Sequence, residues 1–462
     1  MTNLWSGRFD APPDAAAFEF GASFGFDRRL FEDDITGSLA WARALAQAGV
    51  LPRDDARQID AALTELLERG RSDPSFVTGP DEDIHSFVER WLVERIGDAG
   101  RRLHTGRSRN EQVSLDLRLY LKRRISLLQR AVAGVVDALA GQAVAAGDAL
   151  MPSFTHFRPA QPVLIAHFFL SHAAPLRRDF ARFVSAREEC DALPLGSGAI
   201  AGTAYAIDVD RLARDLGFSR VVDNSMDASS DRDFAASFLY ASTLTMVHLS
   251  RLAEDLIIFS GDEHRFFGLS DALSTGSSMM PQKKNPDPLE LVRGKSGRVL
   301  GHLVGLLTTL KGLPTGYNKD LQEDKETVFG AEDALTGCLA VVRSVVGGLT
   351  INRDRAASAA SGLLLATDVA DYLVGRGVPF RRAHEIVGAL VRKLIAEGRD
   401  FEQLSLAEWR AASDLFEADI ASKVTPAVSV AGKMTPQSTA PAAVAVKLAD
   451  IRRWLDGVSQ YC

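Results

Sequence analysis

Between residues 274 and 288 the chain reads STGSSMMPQKKNPDP, a run that crowds hydroxyl, ammonium and amide groups together. Gly276 loosens the backbone there, and Pro281, Pro286 and Pro288 oppose a regular helix or a central strand, so the run is expected to be a surface loop. Two readings are open. The loop is a generic solvated one, or it surrounds an anion, with a serine oxygen taking a proton from carbon while Lys283 and Asn285 stabilise a carboxylate-bearing transition state. An ordinary serine is a poor base, so the second reading requires positive charge beside it.

Two more polar runs offer related chemistry. THFRPAQP at 155–162 places Thr155 and His156 just ahead of an expected long helix, whose N-terminal field would orient a carboxylate. His156 titrates near neutrality and Thr155 suits hydrogen bonding; the alternative is a histidine engaged in ordinary packing. HTGRSRNEQ at 104–112 opens another expected helix with anion-directed groups, or is simply a capped, solvated helix start.

The elements that must hold these runs are helices. Val113, Leu117, Leu121, Ile125, Leu128, Val132, Val135 and Leu139 recur at three- or four-residue steps, one apolar stripe along a long helix. Arg118, Lys122, Arg123 and Arg124 fall largely off the stripe and are expected on a solvated face. Further long helices are expected over about 162–190, 233–259 and 288–310. Gly294, Gly297, Gly301 and Gly305 weaken the last of these by propensity, and without Cβ atoms they would let neighbouring helices approach closely. Helices this long imply a bundle, and one short domain would leave their stripes exposed, so bundling across subunits is expected. The sequence therefore reads as mainly α, with a smaller first domain over 1–106, a central long-helix domain over 107–360 and a smaller helical domain over 361–462.

Composition narrows the function. Of 462 residues, 46% are hydrophobic and 24% charged, the balance of a folded globular chain. Sixty acidic against 53 basic side chains give a formal charge of −7, which carries no nucleic-acid footprint but leaves room for a local cationic pocket. Cys190, Cys338 and Cys462 match neither a zinc site nor a disulfide framework, and His85, His104 and His156 are widely separated, so no metal is expected. GSGAIAG at 196–202 imitates a dinucleotide loop but lacks the strand, spacing and following acid, and reads as a structural or catalytic-loop turn. With no signal-like apolar run in residues 1–9 and no membrane-length apolar stretch, a cytoplasmic, membrane-free protein is expected.

Six runs taken in order, LWSGRF at 4–9, DEDIHS at 81–86, TGRSRN at 105–110, THFRPAQP at 155–162, 274–286 and GYNKDLQEDKE at 316–326, strongly resemble the argininosuccinate lyases of the fumarase/aspartase superfamily. The resemblance spans nearly the whole chain. Gln282 and Lys284 at variable positions of the superfamily loop, together with 316–326, favour this family over fumarase, aspartase or adenylosuccinate lyase. Near the C-terminus QSTAP at 437–441 departs from the common Gly-Gly-Thr-Ala-Pro, and 261–267 departs from the common form as well.

The resemblance implies a three-domain, mainly α subunit in a homotetramer, with a twenty-helix central bundle and three subunits contributing to each site. It implies reversible cleavage of argininosuccinate to arginine and fumarate without metal or organic cofactor. By the same resemblance Ser108, Asn110, Thr155, Lys283 and Asn285 hold the succinate part, while Ser23, Arg109, Tyr317, Gln322 and Lys325 place the remainder. Ser277 is the expected proton-abstracting base, and His156, partnered by Glu290, the group that protonates the departing nitrogen or organises a water. The rivals are a related carbon–nitrogen lyase, such as adenylosuccinate lyase, and a catalytically quiet, crystallin-like structural protein.

Overall fold

The computed structural model describes residues 14–461, so the 4–9 run and Cys462 lie outside the described residues. Helices dominate, and the described strands form short two-stranded pairs. The architecture is mainly α with a bundle of long helices. Four segments matter for the first part of the site: α1 (Phe31–Gln47), α2 (Ile84–Ile96), α3 (Arg109–Ala146) and the segment around 317–325.

The expected stripe lies on α3, 38 residues long, and every one of its eight apolar residues is buried, Leu117, Leu121, Ile125, Val132, Val135 and Leu139 completely. The helix starts where local chemistry requires. Ser108 and Glu111 stand three apart; the Ser108 N–H donates to Glu111 Oε1 at 3.0 Å, and the Asn110 N–H to Ser108 Oγ at 3.3 Å. The cations expected on a solvated face of α3 are a correction. Arg118 is only 2% exposed, donates to the Glu189 carbonyl at 3.0 Å and pairs with Asp231; Lys122 is buried against Asp191 and the Gly217 carbonyl. Arg124 pairs with the fully buried Glu332, and Arg123 alone keeps substantial solvent contact while reaching Asp33 at 2.8 Å. Buried charge is tolerable here because each cation meets a carboxylate or carbonyl.

A second correction concerns 155–162. These residues form no helix approach but a hairpin of β1 (Leu150–Thr155) and β2 (Arg158–Leu164), and the long helix α4 starts only at Ile165 and ends at Cys190. The remaining long helices are α5 (Asp233–Ser260), α6 (Asp287–Leu310) and α7 (Glu323–Gly347). Pro288 sits in the first turn of α6, where a missing N–H costs nothing, so it does not exclude the helix as expected. Within the single chain a Cβ at Gly294, Gly297, Gly301 or Gly305 would meet nothing within 4 Å among the described residues. Leu291, Leu300, Val304 and Leu307 on the same helix are 61%, 48%, 54% and 49% exposed.

The chain divides into two compact units. One comprises the residues up to Leu128, Ala181–Thr243 and Arg298–Ala334; the other comprises Gln129–Phe180, Leu244–Gly297 and the residues from Leu335. In the second unit the hairpin rests on aromatic rings, Phe154 lying 5.3 Å from Phe259 and 5.6 Å from His264. Thr439, within the departing QSTAP run, is buried and accepts the Leu164 N–H at 2.8 Å, so the run anchors the end of β2. The same unit contains a C-terminal core in which Leu365, Val369, Leu373, Leu390, Leu394 and Phe416 pack around Trp409.

Candidate active site

A cavity of about 340 Å³ in the first unit gathers Ser23, Ser108, Arg109, Asn110, Tyr317, Gln322 and Lys325. Three separate stretches supply them: the turn before residue 27, the first turn of α3 and its cap, and the 317–325 segment. Ser23 is fixed by a 2.5 Å hydrogen bond to Asp27, whose other oxygen accepts the Ile84 N–H at 3.0 Å; the Gln322 amide donates to the Gly21 carbonyl at 3.2 Å. Tyr317 is half-buried, and burial raises its phenol pKa, so it enters the pocket as a neutral donor. A larger, open groove of about 950 Å³ runs past Arg29 and Arg71, but those cations are already engaged by Asp333, Glu332 and Glu32.

Charge is organised beneath the cavity. Lys325 is 3% exposed and donates to Asp324 Oδ1 at 2.8 Å, while the fully buried Arg232 donates to Asp324 Oδ2 at 2.5 Å. Burial opposes the Asp324 carboxylate, but Lys325 and Arg232 outweigh it and hold its pKa below the usual range. Arg109 reaches both oxygens of Asp83 at 2.6 Å and Ser86 Oγ at 3.0 Å. Against burial, His85, Arg109 and the Ser86 donors hold Asp83 well below the ordinary carboxylate range.

Sequence reasoning assigned no role to Asp27, Glu82, Asp83, His85, His104 or Lys319, yet all line the cavity. Glu82, Asp83, His85, His104 and Lys319 lie inside the polar runs named above; the signal was their neighbourhood. Burial first, then Arg107 and Arg109, lowers His104 to about 4, so it meets the cavity as a neutral imidazole. Behind His85, Nδ1 lies 2.8 Å from Asp34 and 3.5 Å from Asp116. These three groups bring ligand-type atoms within 4.8 Å of one another. Gln112 and His85 already hydrogen-bond Asp34, and burial, then the Asp34 charge, pushes Asp116 well above the usual carboxylate range. Arg107 places positive charge near Asp34 and Asp116.

The other expected residues lie in the second unit, outside the lining of this cavity. Thr155 ends β1, and His156 and Phe157 form the two-residue hairpin tip with φ of 53° and 57°. Such a tip favours Asn-Gly, and two bulky residues in the left-handed region store backbone strain of about 1–3 kcal/mol each. Thr155 and His156 are exposed there, so the helix-field argument for them fails. The 274–288 run is a loop closed by β3 (Thr275–Gly276) against β4 (Lys284–Asn285), largely exposed as expected. Ser277 Oγ accepts the Met279 and Met280 N–H groups at 3.2 and 3.0 Å. Lys283 is exposed, Asn285 half-buried, and Glu290 in the first turn of α6 lies 4.0 Å from Arg293. Among the described residues no hydrogen bond joins Glu290 to His156.

Residues 7–301 match the family described as Lyase, and residues 363–431 match Argininosuccinate lyase C-terminal. The chain is 47% identical over 459 residues to the argininosuccinate lyase of Moorella thermoacetica, covering 98% of each. It is 48% identical over 452 residues to that of Roseiflexus castenholzii, covering 98% of this chain and 99% of the relative. Among solved structures, EDDS lyase in complex with formate superposes with a TM-score of 0.83 at 27% identity, covering 96% of this chain and 91% of that one. The 3-carboxy-cis,cis-muconate lactonizing enzyme of Pseudomonas putida shares the fold, with a TM-score of 0.74 at 20% identity over 95% of this chain and 97% of that one. With a pocket built from the expected serine, asparagine, tyrosine, glutamine and lysine, and full-length relatives at nearly half identity, the chain belongs to the argininosuccinate lyase family of the fumarase/aspartase superfamily.

Proposed function

We infer that this chain is an enzyme of arginine biosynthesis that splits argininosuccinate reversibly into L-arginine and fumarate. The observation that carries the reading is the cavity that unites Ser23, Ser108, Asn110, Tyr317, Gln322 and Lys325 from three distant stretches of sequence. Its hydroxyls and amides direct hydrogen bonds, and its buried lysine offsets a carboxylate. Ser108 and Asn110, joined by Thr155, Lys283 and Asn285, hold the succinate part; Ser23, Arg109, Tyr317, Gln322 and Lys325 place the arginine part.

In the reaction Ser277 Oγ takes the proton from the succinate carbon next to a carboxylate. The electron pair left on carbon spreads into that carboxylate, forming an aci-carboxylate that Lys283 and neighbouring amides stabilise. The pair then returns to form the carbon–carbon double bond of fumarate as the neighbouring carbon–nitrogen bond breaks. His156, oriented by Glu290, protonates the departing guanidinium-side nitrogen. The two accepted backbone N–H groups favour the charged form of Ser277 and so support its role.

The same reading makes the protein a cytoplasmic homotetramer in which three subunits complete each site, with 1–106, 107–360 and 361–462 as its domains. Support comes from Leu300, Val304 and Leu307, apolar groups that α6 leaves about half exposed in a single chain. No single described helix is long and apolar enough to cross a membrane. Incubating the purified chain with argininosuccinate, and in parallel with adenylosuccinate, tests the activity. Equal amounts of arginine and fumarate from the first substrate alone are expected; a folded protein that yields neither product, or that cleaves adenylosuccinate instead, overturns it.

A further inference from the structure

Glu111 has no assigned part in the chemistry, yet it is completely buried one residue beyond Asn110. Its Oε1 accepts the Ser108 N–H at 3.0 Å, and its Oε2 accepts the Gly196 and Gly198 N–H groups at 2.8 and 2.9 Å. The same turn meets the neighbouring side chain, for Asn110 Nδ2 donates to the Ala199 carbonyl at 3.0 Å. Thus the GSGAIAG run turns backbone N–H groups onto a carboxylate that belongs to the protein itself.

This turn has little freedom. Gly198 has φ +59°, and a Cβ there would meet the Gly202 carbonyl oxygen at 2.6 Å; the Gly202 N–H closes the turn onto the Ser197 carbonyl at 2.8 Å. Beyond it Ile200 abuts Gly316, where a Cβ would lie 2.7 Å from the isoleucine tip, next to Tyr317 of the cavity. An apolar residue at 111 would fill the space without the cost of burying a charge. What only a carboxylate supplies is a set of directed acceptors that ties the first turn of α3 to this turn.

We propose that Glu111 is a positioning residue of the active site, whose buried carboxylate locks the 196–202 turn onto the start of α3 and so fixes the Ser108 and Asn110 groups that hold the succinate end of the substrate. This rests on the site assignment given under the proposed function. The Asn110 amide, held from behind by the Ala199 carbonyl, then presents one defined face to the cavity.

The test is Glu111→Gln in the assembled enzyme at pH 8, with fumarate and arginine binding measured separately by calorimetry beside steady-state kinetics. Gln keeps the shape but must aim an NH2 at an N–H donor. Fumarate affinity is expected to fall about tenfold or more, with a matching rise in KM, while arginine affinity stays within about twofold. Gly198→Ala, which displaces the turn from the other side, should reproduce the pattern, and the double variant should be no worse than the poorer single one, because both break one contact. Should Glu111→Gln not assemble, Gly198→Ala carries the same measurement. Unchanged fumarate affinity, or equal loss for both ligands together with a lowered Tm, overturns the proposal. Asn110→Ala separates it from the site assignment: if that variant binds fumarate normally, the assignment of the succinate end fails, whereas weakened fumarate binding in Asn110→Ala alone sinks only the role of Glu111.

Discussion

Replacing Lys325 by Met removes a buried cation while keeping most of the side-chain length. Two consequences can be separated. The first is loss of a charge-assisted contact to a carboxylate on the arginine part, worth about 1.5–3 kcal/mol, which corresponds to a fall in arginine affinity and a rise in KM of about 10- to 150-fold. The second is the effect on Asp324, which loses its 2.8 Å contact to Lys325 but retains the 2.5 Å contact from Arg232. A buried carboxylate stripped of every partner would cost about 3–5 kcal/mol. With Arg232 still in place the loss should be that of one hydrogen bond to a charged group, about 1.5–3 kcal/mol, lowering Tm by only a few degrees. Steady-state kinetics, arginine and fumarate calorimetry and a thermal melt on one preparation read all of these quantities. Folded variant protein with unchanged KM and arginine affinity would put Lys325 outside substrate recognition, serving only Asp324. Failure to assemble would show that Arg232 alone does not hold Asp324, and would refute the division of labour between the two cations.

Ser277→Ala should lower kcat by about 10²- to 10⁴-fold, the usual range for a lost general base, with Tm nearly unchanged because the loop is exposed; near-wild-type product formation removes Ser277 from that role. Val304→Glu places a charge on a site 54% exposed in the single chain, so the subunit should still fold while sedimentation shows a smaller assembly than wild type; an unchanged mass would clear that face of α6 of any part in association. Burial raises Glu111 to about 7, against its three N–H donors and Arg107, from an ordinary value near 4.5. The neutral form therefore contributes stability that is fully present below about 4.5 and is lost as pH rises through about 7, on the order of 3 kcal/mol in all. The urea midpoint of wild type should lose ground to that of Glu111→Gln between pH 5 and pH 8.5, and a constant difference between the two would show that Glu111 keeps one protonation state throughout.

Legibility followed from whether the partners of a residue lie near it in sequence. The α3 stripe was readable because period and burial coincide, Leu117 to Leu139 all facing one side. Arg118 and Lys122 were misread because their partners stand 113 and 69 residues away, and nothing local distinguishes a buried cation from a solvated one. The start of α4 was placed too early because the hairpin turns at His156–Phe157 without the Asn or Gly that usually marks positive φ. Within the cavity, Ser108, Asn110, Tyr317 and Lys325 were legible through the runs that contain them. Asp34 and Asp116, which stand behind His85, lie in no such run and meet only through the packing of α1 against α3. Glu111 looked like one more charge at an Arg-rich helix start; its three donors come into view only once the 196–198 turn is in place.

A serine base poses an energetic difficulty, since an alkoxide is far less stable than a hydroxyl near neutral pH. The 276–283 loop answers part of it locally, by turning the Met279 and Met280 N–H groups onto Ser277 Oγ. Both bonds strengthen as negative charge develops on the oxygen, and the role proposed for Lys283 is to add the nearby positive charge that a serine base requires. In an isolated chain the loop is largely exposed, and water weakens each of these effects by screening charge and competing for the same lone pairs. A cover that excluded water would strengthen these contacts but also penalise the alkoxide, so it helps only where it keeps donors and positive charge directed at the oxygen. The half-exposed apolar groups of α6, which begins two residues after β4 ends, would give the proposed tetramer a means of providing such a cover. In the proposed tetramer, subunit association would then do more than gather side chains from separate chains: it would cover the loop while leaving these donors aimed at Ser277 Oγ.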